Sequence, residues 1–149
     1  MDAIVEAGFK YIGLTGAKTK TRRVIAPAIA LEEAQQVGEE ARKRGLTITN
    51  VYGGGIPLHT GGESLRKMID NCAAAGAWSV MLAHMGKVET YEVCCKTVAE
   101  CCHYAAEKRV VIVLKPHGGT TGTAGNSTQD GDEATVSSTG GNVSVAEDD

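Results

Sequence analysis

The stretch that decides the fold is "VVIVLKPHGG", residues 110–119, in which an apolar run ends in a lysine, a proline, a histidine and two glycines. The run has no polar face, which is typical of a buried strand in a parallel sheet that helices cover on both sides. Pro116 removes an amide donor and ends the ladder, and the glycines let the chain turn away. Lys115 and His117 are two residues apart, so both side chains should point the same way at the carboxyl end of this strand.

The residues before this strand alternate short apolar runs with longer amphipathic ones. Helices are predicted from the stretches "DAIVEAG", "LEEAQQVGEEARKRG", "ESLRKMIDNCAAAG" and "YEVCCKTVAECCHYAAEKR". Strands are predicted near residues 10–14, 46–51, 78–83 and 110–115. The order α-β-α-β-α-β-α-β favours parallel strands in sequence order with helical crossovers on one outer face.

Turn residues predict where helices end, and helix periodicity predicts which of their side chains are buried. One helix should end at Gly8, and another at Gly45 after a basic last turn. The positions at helical spacing predict these buried side chains: Leu31, Ala34, Val37 and Ala41 on the second helix, and Leu65, Met68, Ile69 and Cys72 on the third.

Two architectures have this order of elements. A doubly wound sheet binds ligands where the strand order reverses, and a (β/α) barrel binds them at the carboxyl ends of its strands. The loops "NVYGGGIPLH", "LAHMG" and "LKPHGG" carry glycines or histidines after strands, and no G-x-G-x-x-G follows the first strand,. These loops favour the barrel. A complete barrel usually needs about 250 residues, so four strands indicate a partial one.

The distribution of charge divides the chain. Residues 1–119 hold all 15 Lys and Arg against 12 Asp and Glu, while residues 120–149 hold six acids and no base. This last segment is built from Gly, Ser, Thr, Asn and acids, which bury too little apolar surface to offset the entropy of ordering. We therefore predict a barrel fragment over residues 1–122 and a low-complexity, disordered acidic tail over residues 123–149.

The composition limits which cellular compartment and which kinds of binding partner we expect. No run is long and apolar enough to cross a bilayer, and the N-terminus "MDAIVEAGF" lacks the pattern of a signal peptide,. We expect a cytoplasmic protein with no membrane partner, and the net charge of −3 argues against a nucleic-acid partner,. The five cysteines, an odd number, predict reduced thiols,.

Four of these cysteines are spaced at i, i+1, i+7 and i+8 in the longest helix. The two pairs lie roughly 10.5 Å apart along the axis, which is too far for one zinc ion. We interpret the stripe as core packing, formed by Tyr91, Cys94, Val98, Cys101, Cys102 and Ala105.

Several segments together resemble a known family. "AGFKYIGL", "ARKRGLTITNVY", "LRKMIDNCAAAGAWSVMLAHMG" and "AAEKRVVIVLKPHGG" are similar to the sugar phosphate isomerase/epimerase family, the xylose isomerase-like TIM barrels. The resemblance covers about residues 2–122 and corresponds to the second to fifth strands of such a barrel. It implies a partial (β/α)₈ barrel that acts on a small sugar or sugar phosphate and moves a proton between adjacent carbons.

The resemblance also implies a divalent metal, which is Mn, Mg, Co or Zn in the family, held by carboxylates and histidine at the barrel mouth. Lys115 stands where family members commonly place a glutamate, and a charged lysine cannot ligate a metal. His84, in "HMG", matches the zinc-binding histidine of the related type IV AP endonucleases and is the candidate metal ligand. We expect no tightly bound metal in these 149 residues.

Three histidines and one lysine follow predicted strands at the ligand-binding face: His59, His84, His117 and Lys115. His84 and His117 follow neighbouring strands and are predicted to contact substrate or metal; the alternative is that both bond to loop backbone. His59 is predicted to be solvated, and His103, on the longest helix, is predicted to be a surface or packing residue. Lys115 is predicted to bind a substrate phosphate or carboxylate as a point charge, the alternative being an ordinary lysine that reaches solvent.

Two loops have weaker signals. "KTKTRR", residues 18–23, has four basic residues that suit a sugar phosphate or nucleic acid, or form a solvated loop,. "YGGGIPLHTGGES" precedes a helix whose first amides suit an anion, and a flexible loop explains it nearly as well.

Three functional hypotheses follow from these observations. The chain is an isomerase or epimerase of a small sugar, a catalytically silent half-barrel, or an endonuclease-like enzyme that acts on nucleic acid. The lysine at the glutamate position and the few strands favour the second for present activity. Two open sheet edges predict self-association.

Overall fold

The structure, a computed structural model, describes residues 1–15, 25–54, 56–82 and 91–115. In chain order its elements are α1 (Asp2–Glu6), β1 (Tyr11–Thr15), α2 (Leu31–Lys43), β2 (Thr47–Tyr52), a 3₁₀ helix (Leu58–Thr60), α3 (Glu63–Ala75), β3 (Ser79–Leu82), α4 (Tyr91–Glu107) and β4 (Val111–Leu114). The predicted order of helices and strands is confirmed. The predicted tail beyond residue 122 lies outside the described residues.

The strands form one parallel sheet in the order β1-β2-β3-β4, as predicted. Each strand lies beside the next one in the sequence, so every connection returns over the sheet to the same end. The register of β1 and β2 shifts between Ile12 and Gly13, which leaves Thr49 as the extra residue on β2. This irregularity sets which side chains of β2 face the helices.

The two faces of the sheet differ in chemistry. The side chains that face the helices are apolar and belong to the core; they are Ile12, Leu14, Ile48, Val51, Val80, Leu82, Ile112 and Leu114. The opposite face would be the interior of a closed barrel. It carries Tyr11, Gly13, Thr15, Thr47, Asn50, Tyr52, Ser79, Met81, Val111 and Val113.

In the described residues the helices lie on one outer face of the sheet, as predicted. Helices cover one face only, and Val111 on the other face is 52% exposed. The apolar run is typical of a barrel strand because a closed barrel also buries its interior face. Four strands curve too little to enclose that interior.

Helix α3 packs as its periodicity predicts. Leu65, Met68, Ile69 and Cys72 are all at most 1% exposed. On α2 the predicted residues Ala34, Val37 and Ala41 are buried, and the prediction for Leu31 is wrong. Leu31 is 45% exposed because it begins the helix, one turn before the first residue that contacts the core.

Helices α2 and α3 approach each other closely at one point. A Cβ atom at Gly38 would lie 2.8 Å from the carbonyl carbon of Ala75 and 2.9 Å from its Cα. Real Cβ contacts are not that short, so the backbone of α3 occupies the space that a side chain would need,. Gly38 therefore sets the distance between the two helices.

The cysteines of α4 pack largely as predicted. Cys94 and Cys101 are buried beside Val98 and Ala105, whereas Cys102 is exposed, so its assignment to the core is wrong. One helical position turns the side chain by about 100°, which carries Cys102 from the core to the helix flank, where its thiol donates to the carbonyl of Val98. All five cysteines are free, as predicted.

Polar side chains connect the helices at the surface. Asp70 of α3 accepts a hydrogen bond from the Tyr104 hydroxyl of α4 at 2.7 Å and forms an ion pair with Lys108 at 2.8 Å. Arg44, at the end of α2, contacts both Asp2 of α1 and Glu40. Gly8 and Gly45 have positive φ where the first two helices end, as predicted,.

Candidate ligand site at the carboxyl ends of the strands

Parallel strands place their carboxyl ends at one edge of the sheet. In the described residues that edge is formed by Thr15, Tyr52, Leu82 and Leu114, with Lys115 directly after β4. In parallel α/β folds the residues at this edge bind ligands. We call this edge the mouth.

Lys115 lies in line with the sheet rather than in a detached loop. Its amide donates a hydrogen bond of 2.9 Å to the carbonyl of Leu82, so the β3–β4 ladder continues for one residue past β4. Leu114 pairs with Leu82 and packs on the core. Because side chains alternate along a strand, Lys115 is on the interior face with Val113, and it is exposed to solvent at the mouth,.

A polar row crosses the interior face one layer below the mouth. The Asn50 amide donates to the Ser79 hydroxyl at 3.2 Å, and that hydroxyl donates to the carbonyl of Thr49 at 3.1 Å. The Thr49 hydroxyl donates to the carbonyl of Ile12 at 3.2 Å. These bonds fix Asn50 and Ser79, so the floor under the mouth is polar and ordered.

This polar row was not predicted, although the sequence contains a signal for it. Asn50 and Ser79 interrupt strands that are otherwise apolar or β-branched, at positions that register places side by side. Asparagine is depleted in strands, so its presence there indicates a specific partner. The shift at Thr49 was not visible in the sequence, and it decides that Asn50 faces the interior.

Two of the four histidines lie within the described residues and two lie outside them. His84 and His117 lie outside the described residues, so their contact with substrate or metal stays a prediction. His59 is exposed in the 3₁₀ helix, and the His103 side chain is 90% exposed with a contact of 3.3 Å to Glu107. His59 is a surface residue, as predicted, and of the two alternatives for His103 the structure shows the surface one. The basic segment 18–23 also lies outside the described residues.

The glycine-rich loop before α3 packs on α4. A Cβ atom at Gly62 would lie 2.8 Å from the Cys101 thiol, and this thiol lies 3.8 Å from the carbonyl of Gly62. The close approach gives Gly62 a packing reason that requires no anion. An anion site at the first amides of α3 stays a prediction.

The described part of the mouth does not fit a divalent metal. Among the described residues, no group of three or more His, Cys, Asp or Glu side chains is placed to hold one. At the mouth, Thr15 and Tyr52 end β1 and β2, and Lys115 after β4 carries a positive charge, which repels a cation,. This donor set suits an anion better than a metal ion.

Comparison with known proteins agrees with this architecture. The model of the xylose isomerase-like TIM barrel family matches residues 1–139. The chain belongs to this family. The resemblance seen in the sequence is confirmed, and the four parallel strands are part of an eight-stranded barrel plan,.

Solved structures show the same fold at low sequence identity. A xylose isomerase domain protein from Planctomyces limnophilus is 14% identical, with a TM-score of 0.56 over 77% of this chain and 47% of that one. A sugar phosphate isomerase/epimerase from Parabacteroides distasonis is 10% identical, with a TM-score of 0.61 over 94% of this chain and 53% of that one. This chain therefore spans about half the length of these structures.

No curated protein matches the sequence. Among the described residues, no helix is long and apolar enough to span a bilayer.

Proposed function

We propose that this chain is the ligand-binding half of a sugar isomerase-type barrel, which binds a small sugar phosphate at the mouth through Lys115. Family membership and two structural neighbours named for sugar isomerases support the substrate class. His84 and His117 follow strands that end at the same edge, so we propose them as further contacts to the sugar.

The position of Lys115 is the observation that carries this proposal. The hydrogen bond from its amide to Leu82 fixes the backbone, and strand alternation directs the side chain to the interior face. A lysine there presents a compact positive charge on a long stem, which suits a terminal phosphate. The ordered row of Asn50 and Ser79 below supplies amide and hydroxyl groups of the kind that bind sugar hydroxyls,.

The proposal separates binding from isomerisation. In the family, a divalent metal polarises the substrate while a proton moves between neighbouring carbons. The described mouth presents a cation and neutral groups, which suit the anionic end of a sugar, and among the described residues no three or more His, Cys, Asp or Glu side chains are grouped to hold a metal. We therefore propose that these residues bind the sugar phosphate without turning it over, in agreement with the hypothesis of a silent half-barrel.

Isothermal titration calorimetry with ribulose 5-phosphate in EDTA tests the proposal. Lys115→Gln should weaken binding about two- to fivefold, because a contact between exposed charges is worth roughly 0.5–1 kcal/mol. Lys96→Gln, which removes an exposed lysine on α4, is the matched control and should leave affinity unchanged. Equal loss in both variants, or no loss in Lys115→Gln, would refute the assignment.

A further inference from the structure

Gly13 lies in the middle of β1, a position where glycine is unfavourable. It is on the interior face, where it pairs with Asn50 of β2, and it is exposed to solvent. A glycine inside a strand packs nothing and weakens the strand, so it commonly marks a bulge or a place where another group approaches the backbone closely. The surroundings of Gly13 distinguish between these reasons.

Neither the backbone nor the packing of the described residues requires glycine at this position. Gly13 is not among the glycines with a positive φ. A Cβ atom at Gly13 would lie 3.9 Å from the main-chain oxygen and 3.9 Å from the side-chain oxygen of Asn50, which are ordinary van der Waals distances. The extra residue of the register shift is Thr49 on the neighbouring strand, so the bulge does not require a glycine in β1 either,.

The hydrogen bonds around Asn50 fix which way its amide points. The Ser79 hydroxyl has one proton, which it donates to the carbonyl of Thr49 at 3.1 Å,. Towards Asn50 that hydroxyl is therefore an acceptor, and the Asn50 amide nitrogen faces it at 3.2 Å. The side-chain oxygen of Asn50 consequently faces the other way, towards Gly13.

This side-chain oxygen is a hydrogen-bond acceptor on an accessible part of the sheet. Asn50 is half-buried, Gly13 beside it is exposed, and among the described residues no donor contacts the oxygen. An amide oxygen accepts hydrogen bonds and donates none, so it suits the proton of a hydroxyl group. Bulges often lie next to binding sites, where they re-aim a side chain, and the shift at Thr49 turns Asn50 to this face,.

We propose that Gly13 and Asn50 form a hydroxyl-binding subsite that determines which sugars bind at the mouth. The inference rests on the proposed function, because Lys115 holds the phosphate of the same ligand. The sugar hydroxyl donates to the side-chain oxygen of Asn50 and occupies the space that a side chain at position 13 would fill. A sugar without this hydroxyl leaves the oxygen unpaired and binds less tightly.

The distance between Lys115 and the subsite limits the length of the ligand. Ser79 pairs with Asn50 on one side and with Val111 of β4 on the other. Four residues of strand and two strand spacings therefore separate the Cα atoms of Lys115 and Asn50, which is about 16 Å along the sheet,. The long lysine stem and the asparagine side chain span part of this distance, and the remainder suits a sugar phosphate of roughly five carbons.

Calorimetric titration of the full chain in EDTA, with ribulose 5-phosphate and with inorganic phosphate, tests the subsite. Gly13→Val places a side chain in it and should weaken ribulose 5-phosphate binding about five- to tenfold. The affinity for inorganic phosphate should not change, because this ion is too short to reach beyond the lysine. Ser79→Ala releases the amide of Asn50 and should also weaken binding of the sugar phosphate alone. Thr47→Val, nearer the amino end of β2 on the same face, is the matched control and should change neither affinity.

Thermal unfolding separates a binding role of Gly13 from a structural one. Alanine fits beside Asn50, and strands disfavour glycine,. Gly13→Ala should therefore leave the melting temperature unchanged or raise it, while ribulose 5-phosphate binding becomes weaker. A lower melting temperature with unchanged binding would show that the glycine serves the fold, and would overturn the inference.

The two ligands distinguish a failure of the subsite from a failure of the phosphate contact. If Lys115→Gln weakens phosphate binding but Gly13→Val leaves ribulose 5-phosphate binding unchanged, the subsite is refuted and the contact with Lys115 stands. If Lys115→Gln changes neither affinity, or ribulose 5-phosphate does not bind, the proposed function is refuted and the subsite with it. Equal losses for both ligands in Gly13→Val would indicate a general disturbance and would also refute the subsite.

Discussion

At Gly38 the backbones of α2 and α3 come into contact, so this single residue should affect stability when it is replaced. In an ordinary helix, alanine is more stable than glycine by up to about 1 kcal/mol. Here a Cβ atom would lie 2.9 Å from the Cα of Ala75, so the helices would have to separate. Gly38→Ala should lower the free energy of unfolding by about 1–3 kcal/mol, measured by urea denaturation.

Gln35→Ala is the matched control for that measurement. Gln35 is an exposed residue of the same helix, and its replacement should change the free energy of unfolding by less than about 0.5 kcal/mol,. A Gly38→Ala protein as stable as the wild type would show that the helices do not touch here.

The carboxyl group of Asp70 predicts a dependence of stability on pH. Partial burial raises its pKa, but hydrogen bonds from Lys108 and Tyr104 and the charge of Lys108 outweigh burial, so the pKa lies below its ordinary value. A carboxyl whose folded pKa is lowered stabilises the protein above its unfolded pKa, and this stability is lost as pH falls through the folded pKa. Stability should therefore decline below about pH 4.

Asp70→Asn identifies the source of this decline. The variant should be less stable than the wild type at pH 7, and the difference should shrink as the pH falls below about 4. Glu39→Gln, at an exposed position of α2, should leave the pH profile unchanged. Parallel profiles for Asp70→Asn and the wild type would contradict the role of this carboxyl.

The burial of individual residues was harder to predict from the sequence than the helices and strands. The stripe of α4 was recognised, but Cys102 was assigned to the core although it lies on the flank, because a step of about 100° separates it from the buried Cys101,. Leu31 was assigned to the core because periodicity does not show where the packed part of a helix begins.

At the scale of elements, the buried faces of α3 and α4 predict how the thiols react. Burial raises the pKa of Cys72 to about 12, which leaves roughly one part in ten thousand as reactive thiolate at about pH 8. Cys94 and Cys101 are also buried. These three thiols should resist iodoacetamide in the native protein and react fully in urea, as followed by peptide mass spectrometry. Alkylation of native Cys72 at the rate seen in urea would show that α3 is not packed as described.

The elements themselves were predictable because their signals are local. Apolar runs bounded by glycine gave all four strands, and 3.6-residue periodicity gave the helices,. The register was not predictable, since the shift near Ile12 depends on how two strands meet. That shift turns Asn50 to the interior, so the polar row of the candidate site depends on information that no single segment contains.

At the scale of the whole molecule, the family and the parallel sheet could be predicted from the sequence. How much of the mouth this chain forms could not. The order of elements and the "LKPHGG" end indicated a barrel, which the family match confirms. Lys115 was predicted from its place after a buried strand, and the structure places its backbone in the ladder. A barrel mouth collects residues from all of its strands, so a chain that spans about half of such a barrel defines only part of the mouth,.

We propose above all that these residues form no metal-dependent isomerase, and one experiment tests this most directly. Calorimetric titration of the full chain with Mn²⁺, followed by an aldose–ketose interconversion assay on the same sample, measures metal binding and turnover. We predict no saturable binding at micromolar Mn²⁺ and no interconversion, because Lys115 stands at the mouth where the metal-binding carboxylate is expected. Saturable micromolar binding together with turnover that is lost in Lys115→Ala would contradict the account.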